Sequence, residues 1–422
     1  MLDIKFIREN ADLIREAARK KHSSFDVQNL LDADEKRLTI LKEVEEIRSK
    51  QRIVSDTIPT ITDPAERETR IAEMKVLKDD LQTKEETLKE YTKAWQLLML
   101  EVPNVPDMTV PDGDSDADNV EVKRWGEQTQ FSFEPKDHID LMLQNNMVDF
   151  ERGIKVHGFR GYFLLGDGVR LSMAIWNYAL EFFGNKGFTP VIPPIVARKQ
   201  VFYGTGFLPA GEEDLYKTQD EDYLAGTAEV PVMGFHMDEV LDGSQLPLKY
   251  LGFSPCYRRE AGSHSKDVKG LIRVHEFFKW EQVVLCEANH QTSVAIHEEL
   301  NRNTEEFIES LGIPYHTVLN CGGDLGQGQV KKYDIELWVP KETTYREISS
   351  ASYFHDFQTR RSNIRYRDAD GNMMYTHSLN CTAIPTPRIL VSLVENFQEA
   401  DGTIRIPEVL RQYMGGRTHI GK

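Results

Sequence analysis

The 422-residue sequence predicts an α+β protein, in which a long antiparallel coiled-coil helical hairpin precedes a domain on a mostly antiparallel sheet. Two heptad-like apolar runs of about 30 residues flank Pro59–Pro64. Two strand-like segments between Leu248 and Leu285 enclose a polar loop. A segment rich in proline and aspartate separates these parts. The predicted organisation is an N-terminal helical arm at 1–103 with its hairpin at about 26–100, a linker at 104–118 and a second domain at 119–422.

Composition excludes several classes of protein. The sequence has no run of about 18 apolar residues, so we expect no membrane span. Its first 20 residues are amphipathic but include four acidic side chains, which argues against a targeting presequence and favours a cytoplasmic protein. The four cysteines are far apart and form no C-x-x-C pair. This pattern is typical of a reducing compartment and predicts no zinc site.

The net charge of −17 weighs against a nucleic-acid partner, because proteins that bind nucleic acids usually carry a basic surface. A large acidic protein can nevertheless present one local basic face. Charge alone therefore leaves a nucleic-acid partner open.

The N-terminal arm is predicted from helical spacing. Leu2 to about Arg19 forms one amphipathic pattern, and the two heptad-like runs follow from Asp26. Asp63 is a candidate N-cap for the second run, with Pro64 at its first helical position. An isolated hairpin of this kind is often a dimerisation coiled coil or part of a bundle. The basic side chains that are candidates for contacting a polyanion are Lys36, Arg37, Lys50, Arg52, Arg67, Arg70 and Lys75.

The second domain begins with a strand pattern at Asn119–Trp125. A helix is predicted from about Gly168 to Asn185, and a strand containing Pro193 and Pro194 follows it. Prolines within a strand indicate the edge of a sheet or an interface. The glycine-rich segment Gly322–Gly328 lacks the spacing of a nucleotide-binding loop and is predicted to be a turn between strands.

The strand–loop–strand unit carries the charged residues of greatest interest. The first strand leads into Arg258 and Glu260, which the period of two assigns to one face. A loop containing Lys266 and Lys269 follows, and the alternating segment Ile272–Phe277 is predicted to begin the return strand. An arginine at a strand end suits a phosphate group. The alternative is an ordinary surface hairpin with solvated charges.

Four short segments extend this pattern: Thr227-Ala228-Glu229, Glu260-Ala261-Gly262-Ser263, Gly270–His275 and Arg346-Glu347-Ile348-Ser349-Ser350. The sequence from Tyr257 to Phe277 resembles motif 2 of the class II aminoacyl-tRNA synthetases. The four segments resemble seryl-tRNA synthetases specifically. The resemblance covers nearly the whole chain. It implies a class II catalytic domain that charges tRNA(Ser) with L-serine through a seryl-adenylate.

The resemblance also assigns partners. The helical arm would grip the tRNA, although its tip at 57–63 has no lysine or arginine. The helix and proline-containing strand around Pro194 resemble motif 1, which implies a homodimer interface there. Two rival functions remain. One is a ligase that loads an amino acid onto a carrier protein, and the other is a non-catalytic tRNA-binding paralogue.

For ATP and its Mg²⁺, the resemblance implies a set of contacts with defined roles. Arg258 would bridge the α-phosphate and the amino acid, while Phe277 and Arg388 would enclose the adenine ring. Glu347 and Ser350 would hold Mg²⁺, which prefers hard oxygen ligands. Arg258, Arg388 and Glu347 are the predicted catalytic residues. The full predicted ATP-binding set is Arg258, Arg259, Glu260, Val274, Phe277, Glu347, Ile348, Ser349, Ser350 and Arg388.

For serine, the resemblance implies a pocket of buried polar groups. Thr227 and Glu229 would hold the α-ammonium group, and Glu281 would accept a hydrogen bond from the side-chain hydroxyl. An alternative for Glu281 is a core glutamate paired with an arginine. The full predicted serine-binding set is Thr227, Ala228, Glu229, Arg258, Glu281, Asn380 and Thr382. The segment before Arg388 departs from the family pattern, because Cys381, Ala383, Pro385 and Pro387 stand where small flexible residues are common.

Overall fold

The computed structural model describes residues 1–261 and 267–421. It divides into two compact units, Met1–Arg19 with Ser23–Pro103, and Lys20–His22 with Asn104–Lys422. The residues Gly262, Ser263, Ser265 and Lys266 of the predicted polar loop lie outside the described residues. Within the described ranges, no helix combines the length and the apolar character that crossing a membrane requires.

Four helices form the N-terminal part of the described chain: α1 (Ile4–Glu9), α2 (Ala11–Lys20), α3 (Val27–Thr57) and α4 (Pro64–Glu101). The single helix predicted for 2–19 is divided at Asn10, whose side-chain amide donates to Phe6 O at 2.9 Å and ends α1. The predicted N-cap is confirmed, since Asp63 Oδ1 accepts from the backbone N of Ala65 at 3.1 Å.

The α3–α4 hairpin is closed most firmly at its base. Asp34 is fully buried between Arg8 and Arg37, and the Arg37 guanidinium lies 4.5 Å from the ring centre of Trp95. Arg37 therefore has a structural role within the hairpin, and its guanidinium group is less available to bind a polyanion. Closer to the tip of the hairpin, Ile71 and Val76 are 52% and 68% exposed. The apolar residues of the heptad pattern are therefore buried along only part of the hairpin.

The helices of the second unit are α5 (His138–Gln144), α6 (Phe150–His157), α7 (Gly166–Gly184), α8 (Lys199–Thr205), α9 (Glu229–Gly234), α10 (His290–Leu311), α11 (Phe357–Ser362) and α12 (Arg388–Asn396). The strands of its main sheet are β1 (Val120–Trp125), β4 (Thr189–Val191), β9 (Leu248–Tyr257), β10 (Glu276–Cys286), β11 (Tyr315–Leu319), β12 (Lys331–Val339), β13 (Thr344–Tyr353) and β16 (His377–Thr386). Short strands outside it are β2 (Val148–Asp149), β3 (Phe163–Leu164), β5 (Val196–Ala197), β6 (Tyr216–Lys217), β7 (Tyr223–Leu224), β8 (Val240–Asp242), β14 (Arg365–Arg367), β15 (Met373–Tyr375), β17 (Ile404–Arg405) and β18 (His419–Ile420).

The main sheet has eight strands in the order β1-β11-β12-β13-β16-β10-β9-β4. Every neighbouring pair is antiparallel except β4 with β9, which confirms the predicted mostly antiparallel sheet. Apolar side chains of α7, α10 and α12 belong to the same buried cluster as those of the sheet. The central strand β10 is buried from Lys279 to Cys286, so its polar residues are held in a nearly dry environment.

Several predicted strand boundaries were wrong. The strand predicted to contain Pro193 and Pro194 ends before them, at Val191. The other errors lie beside the polar loop. The strand β9 ends at Tyr257, so Arg258 and Glu260 lie beyond it and do not share a strand face. Glu260 has a φ of 54°. The return strand β10 begins only at Glu276, because residues 267–275 form bends and irregular coil. Alternation of apolar residues therefore overestimated the length of both strands.

The segment predicted as a linker is packed onto the second unit. Asn104 is 3% exposed, and its side-chain amide donates to Gly328 O and Phe354 O at 2.9 and 2.8 Å. Val110 is buried, and a short 3₁₀ helix forms at Asp116–Asp118. Proline and aspartate here produce an ordered coil.

Candidate active site

Two adjoining cavities lie on the sheet face formed by β10, β13 and β16. The arginine cavity is lined by Arg258, Glu260, Leu271, Ile272, Val274, Phe277, Lys279, Glu347, Ile348, Thr382, Pro385, Pro387 and Arg388. The carboxylate cavity is lined by residues that include Thr227, Glu229, Arg258, Lys279, Glu281, Glu347, Ser350, Asn380 and Thr382. Arg258, Lys279, Glu347 and Thr382 contribute to both cavities and mark their junction.

Strand alternation explains how β10 serves both cavities. Phe277, Lys279 and Glu281 are two residues apart and therefore face the same side of the sheet. The pairing of β10 with β9 keeps an unbroken register along this stretch. Neighbouring residues of β10, such as Trp280, face the opposite side and pack in the core.

Bulges in the two flanking strands bring predicted site residues to one face. The pairing of β13 with β12 skips Ile348, so Glu347 and Ser350 face the same side although they are three residues apart. Both line the carboxylate cavity. The pairing of β16 with β10 skips Ala383, which places Thr382 and Pro385 on the face of the arginine cavity in the same way.

In the arginine cavity, Arg258 and Arg388 are held by backbone carbonyls. Arg258 Nε donates to Gly226 O at 3.3 Å, and its guanidinium lies 5.2 Å from the centre of the Phe277 ring. Arg388 Nε donates to Ile272 O at 2.9 Å, and its Nη1 donates to Glu347 O at 3.0 Å. Burial, reinforced by nearby arginines, lowers the pKa of Arg388, although an arginine remains charged near neutral pH.

A network that the sequence did not predict fixes the entrance of the arginine cavity. Arg273 Nη1 lies 2.6 Å from Glu260 Oε2, and Arg273 Nε lies 3.8 Å from Asp267 Oδ2. Arg346 Nη2 lies 3.1 Å from the other oxygen of Asp267. Both arginines belong to the segments that carry the family resemblance, but nothing in their spacing indicated which acid each would meet.

In the carboxylate cavity, Glu229 and Glu281 share one amide. Asn380 Nδ2 donates to Glu229 Oε2 at 2.8 Å and to Glu281 Oε1 at 3.2 Å. Gln358 Nε2 donates to the other oxygen of Glu229 at 2.7 Å. Glu229 is 5% exposed, and its burial, with a smaller effect of the Glu281 charge, raises its pKa to about 7.

Glu281 is 1% exposed and forms an ion pair with Lys279. Its Oε2 also lies 3.4 Å from the hydroxyl groups of Thr227 and Thr382. The alternative prediction was a core glutamate paired with an arginine. Glu281 is indeed a buried glutamate with a cationic partner, but that partner is a lysine. Lys279 was missed by the sequence analysis, although its position two residues before Glu281 on one strand indicated a shared face.

Of the remaining predicted residues, two line a cavity and three do not. Ile348 and Val274 line the arginine cavity. Ser349 is buried, and its hydroxyl donates to Thr382 O at 2.5 Å. Ala228 packs in a neighbouring apolar cluster, and Arg259 is exposed with its backbone N donating to Asp214 O at 2.9 Å. These last three residues do not line either cavity.

The residues at the cavity junction fit a magnesium ion. Glu347 offers an exposed carboxylate and Ser350 a hydroxyl on the same face, and both are hard oxygen ligands. Behind them, Asp334 is paired with Ser350 in the β12–β13 register, and its Oδ1 is buried with no hydrogen-bond partner among the described residues. In the described ranges, no three His, Cys, Asp or Glu side chains surround one point as metal ligands. A magnesium ion here would therefore take its remaining ligands from water or from a bound phosphate.

Comparison with known proteins accounts for this arrangement. The sequence model of the seryl-tRNA synthetase N-terminal domain matches residues 1–106, and that of the tRNA synthetase class II core domain (G, H, P, S and T) matches residues 215–397. The serine--tRNA ligase of Deinococcus radiodurans is 44% identical over 423 aligned residues, which cover 100% of this chain and 99% of the relative. The chain belongs to the seryl-tRNA synthetase family.

Solved structures of seryl-tRNA synthetases share the whole fold. The enzyme from Pyrococcus horikoshii, solved in complex with ATP, superimposes with a TM-score of 0.92 at 38% identity, covering 100% of this chain and 99% of that one. The cytoplasmic enzyme from Naegleria fowleri, solved with AMP, gives a TM-score of 0.88 at 34% identity, with coverage of 100% and 98%. The predicted fold class and family resemblance are therefore confirmed.

Proposed function

We propose that the protein activates L-serine with ATP to form seryl-adenylate and transfers serine to the 3′-terminal ribose of tRNA(Ser), releasing AMP and pyrophosphate. The observation that carries this proposal is the junction of the two cavities, where Arg258 borders both a cavity lined by arginines and a pocket of buried carboxylates. The membership of the family and the named activity of the relatives support it.

Activation needs little acid–base chemistry, because the serine carboxylate is already ionised at neutral pH. Its oxygen would attack the α-phosphorus of ATP, and pyrophosphate would leave. Arg258, at the junction, would bind both the carboxylate and the α-phosphate and hold them in line. Arg388, fixed by two carbonyls, would face the nucleotide from the other side. These cations stabilise charge that moves onto the phosphates in the transition state.

Magnesium is proposed as the metal of this reaction. Glu347 and Ser350 would hold it, together with phosphate oxygens of ATP. When bound, the ion neutralises negative charge on the phosphates. The bulge at Ile348, which brings both side chains to one face, supports this assignment.

Selection of serine would depend on the buried carboxylates. The α-ammonium group would meet Glu229 and the hydroxyl of Thr227, while the side-chain hydroxyl would donate to Glu281. A substrate without the hydroxyl would lose this hydrogen bond, and a site built to bind a hydroxyl group rejects an analogue that lacks it by about 10⁴-fold. Alanine should therefore be a very poor substrate. Threonine, which keeps the hydroxyl, would be excluded only by size.

A homodimer and a cytoplasmic location complete the proposal. The strand β4 lies at the edge of the main sheet and continues into Pro193 and Pro194. The surface beside it is apolar, with Ile192 81% exposed, Phe235 64% and Val196 55%. Large exposed apolar groups at a sheet edge suit a second copy of the same chain. Sedimentation of Ile192→Asp should show monomers, whereas Val122→Asp on the opposite edge strand β1 should leave the dimer intact.

The deciding experiment is ATP–pyrophosphate exchange with each of the 20 amino acids, using the wild type and Glu281→Ala in parallel. We expect exchange with serine that Glu281→Ala abolishes. Exchange driven by another amino acid would reject serine as the substrate. A folded wild-type protein with no exchange would instead favour a non-catalytic tRNA-binding paralogue.

A further inference from the structure

The turn Gly326–Gln329 forms one wall of the carboxylate cavity. It belongs to the glycine-rich segment between β11 and β12 to which the sequence assigned no chemistry. Within the turn, Gly326 N donates to Gln329 Oε1 at 2.6 Å, and Gln329 Nε2 donates to Ser352 Oγ at 2.8 Å. Gln329 N closes the turn by donating to Gly326 O at 3.1 Å. The carbonyls of the turn also accept hydrogen bonds from other parts of the chain, and these contacts fix its position.

Two residues far away in sequence provide donors to all four carbonyls of this turn. Lys21 Nζ donates to Gly326 O at 3.1 Å, to Gln327 O at 2.9 Å and to Gln329 O at 2.5 Å. Asn104 Nδ2 donates to Gly328 O at 2.9 Å, and the Asn104 backbone N donates to Gln327 O at 2.9 Å. The turn is therefore fixed on its outer side by one ammonium group and one amide.

Both donors are buried, which makes their contacts strong and their removal costly. Lys21 is 8% exposed and Asn104 is 3% exposed. Burial lowers the pKa of Lys21 to about 7, because an ammonium group is less favourable away from water. A hydrocarbon tail with a charged head is rarely buried in this way unless its three donors are used.

We propose that Lys21 and Asn104 are positioning residues for the amino-acid substrate: they hold the turn Gly326–Gln329 as the wall of the carboxylate cavity. Neither side chain lines the cavity, so both act only through the turn. The inference rests on the proposed function, since the cavity is taken to bind serine. It adds two determinants that lie outside the class II core match at 215–397.

The turn lines the carboxylate cavity and not the arginine cavity, which gives the proposal a selective consequence. Loss of the ammonium group should let the wall relax and weaken serine binding, while the nucleotide contacts stay in place. We expect Lys21→Met to raise KM for serine about tenfold, as misplaced contacts of this kind commonly do. KM for ATP should change less than about twofold. A purely structural role would lower stability without separating the two constants.

The test is ATP–pyrophosphate exchange with the full-length chain, measuring KM for serine and for ATP in the wild type, Lys21→Met, Lys21→Arg and Asn104→Ala. The matched control is Lys20→Met, because Lys20 Nζ donates at 2.5 Å to Val110 O, outside the turn. We expect Lys21→Met and Asn104→Ala to raise KM for serine selectively. Lys21→Arg should retain much of the wild-type value, and Lys20→Met should match the wild type.

An unchanged KM for serine in Lys21→Met, or an equal rise in both constants, would overturn the proposal. If Lys21→Met does not fold, the same two constants in Asn104→Ala decide the question. If the wild type shows no serine-dependent exchange, the proposed function itself is rejected. If the wild type is active and the variants have its KM values, only the positioning role is rejected.

Discussion

Glu229 lies in a position where a carboxylate is unfavourable without a cationic partner. Its two oxygens accept hydrogen bonds from the neutral amides of Gln358 and Asn380. The nearby Lys279 forms its ion pair with Glu281 instead. An incoming ammonium group would supply the missing charge. The substrate would thus complete the electrostatics of the site.

The substitution Glu229→Gln should reveal this cost as a pH dependence of stability. Burial raises the pKa of Glu229 from 4.5 to about 7, so the folded state binds this proton more tightly than the unfolded chain. The contribution of Glu229 to stability is therefore lost as the pH rises from 4.5 to about 7. Because a pKa difference of one corresponds to about 1.4 kcal/mol, the free energy of unfolding of the variant relative to the wild type should rise by up to about 3 kcal/mol between pH 5 and pH 8.

Urea unfolding of both proteins at the two pH values measures this difference. An equal difference at pH 5 and pH 8 would show that Glu229 is not the group that titrates. In exchange assays the same variant should lose serine activation, so gain of stability and loss of activity should occur together.

The buried pair of Lys279 and Glu281 makes a second prediction. Lys279 is 4% exposed, and removing its ammonium group would leave the Glu281 carboxylate buried and unpaired. We expect Lys279→Met to lower the free energy of unfolding by about 3–5 kcal/mol, and the double variant Lys279→Met/Glu281→Gln to recover much of this loss. A double-mutant cycle of urea unfolding tests it, and additive effects would contradict a direct pair.

Residues with a local sequence signature were predictable, whereas their partners were not. Arg258, Glu260 and Glu347 stand in short segments that carry the family resemblance. Lys21 reaches the turn Gly326–Gln329 across some 300 residues of sequence, and no spacing or periodicity records that contact. Such contacts depend on tertiary packing, which a single sequence does not show.

At the scale of elements, two bulges determine which strand residues face the cavities. In a regular strand, residues three apart point to opposite faces, so Glu347 and Ser350 would be separated. The skipped pairing at Ile348 reverses the alternation and brings them together. The start of α4, by contrast, was well predicted, because the Asp63 cap is a local feature of the sequence. Strand ends and bulges were missed, since both depend on which strand lies alongside.

Ser350→Ala should change the metal requirement of the reaction. Loss of the hydroxyl would remove one of the two proposed protein ligands, so we expect the Mg²⁺ concentration for half-maximal exchange to rise about tenfold. The matched control is Ser349→Ala, whose hydroxyl donates to Thr382 O in the interior of the sheet. That variant should lose about 1 kcal/mol of stability with an unchanged Mg²⁺ requirement. Equal Mg²⁺ curves for both variants would remove Ser350 from the metal site.

At the scale of the whole molecule, activation and charging should be separable. The residues of both cavities belong to the second unit, whereas the hairpin belongs to the first. Deleting residues 30–98 should leave serine-dependent ATP–pyrophosphate exchange within about threefold of the wild type but reduce charging of tRNA(Ser) by at least about 100-fold, because phosphate contacts dominate affinity for nucleic acids. Loss of exchange in this variant would contradict independent units.

The tripeptide Lys20–His22 gives the chain an unexpected topology. It belongs to the second unit although some 80 residues of the first unit follow it. Residues 23–103 of the first unit therefore stand between two segments of the second in sequence, with Lys20–His22 before them and Asn104 after them, while Met1–Arg19 of the first unit come earlier still. A fragment cut at Pro103 would lack its own Lys21, whereas excision of the hairpin alone would keep it. Truncated variants of this protein, and chimaeras that exchange the helical hairpin between relatives, should therefore keep both Lys20–His22 and the segment that begins at Asn104.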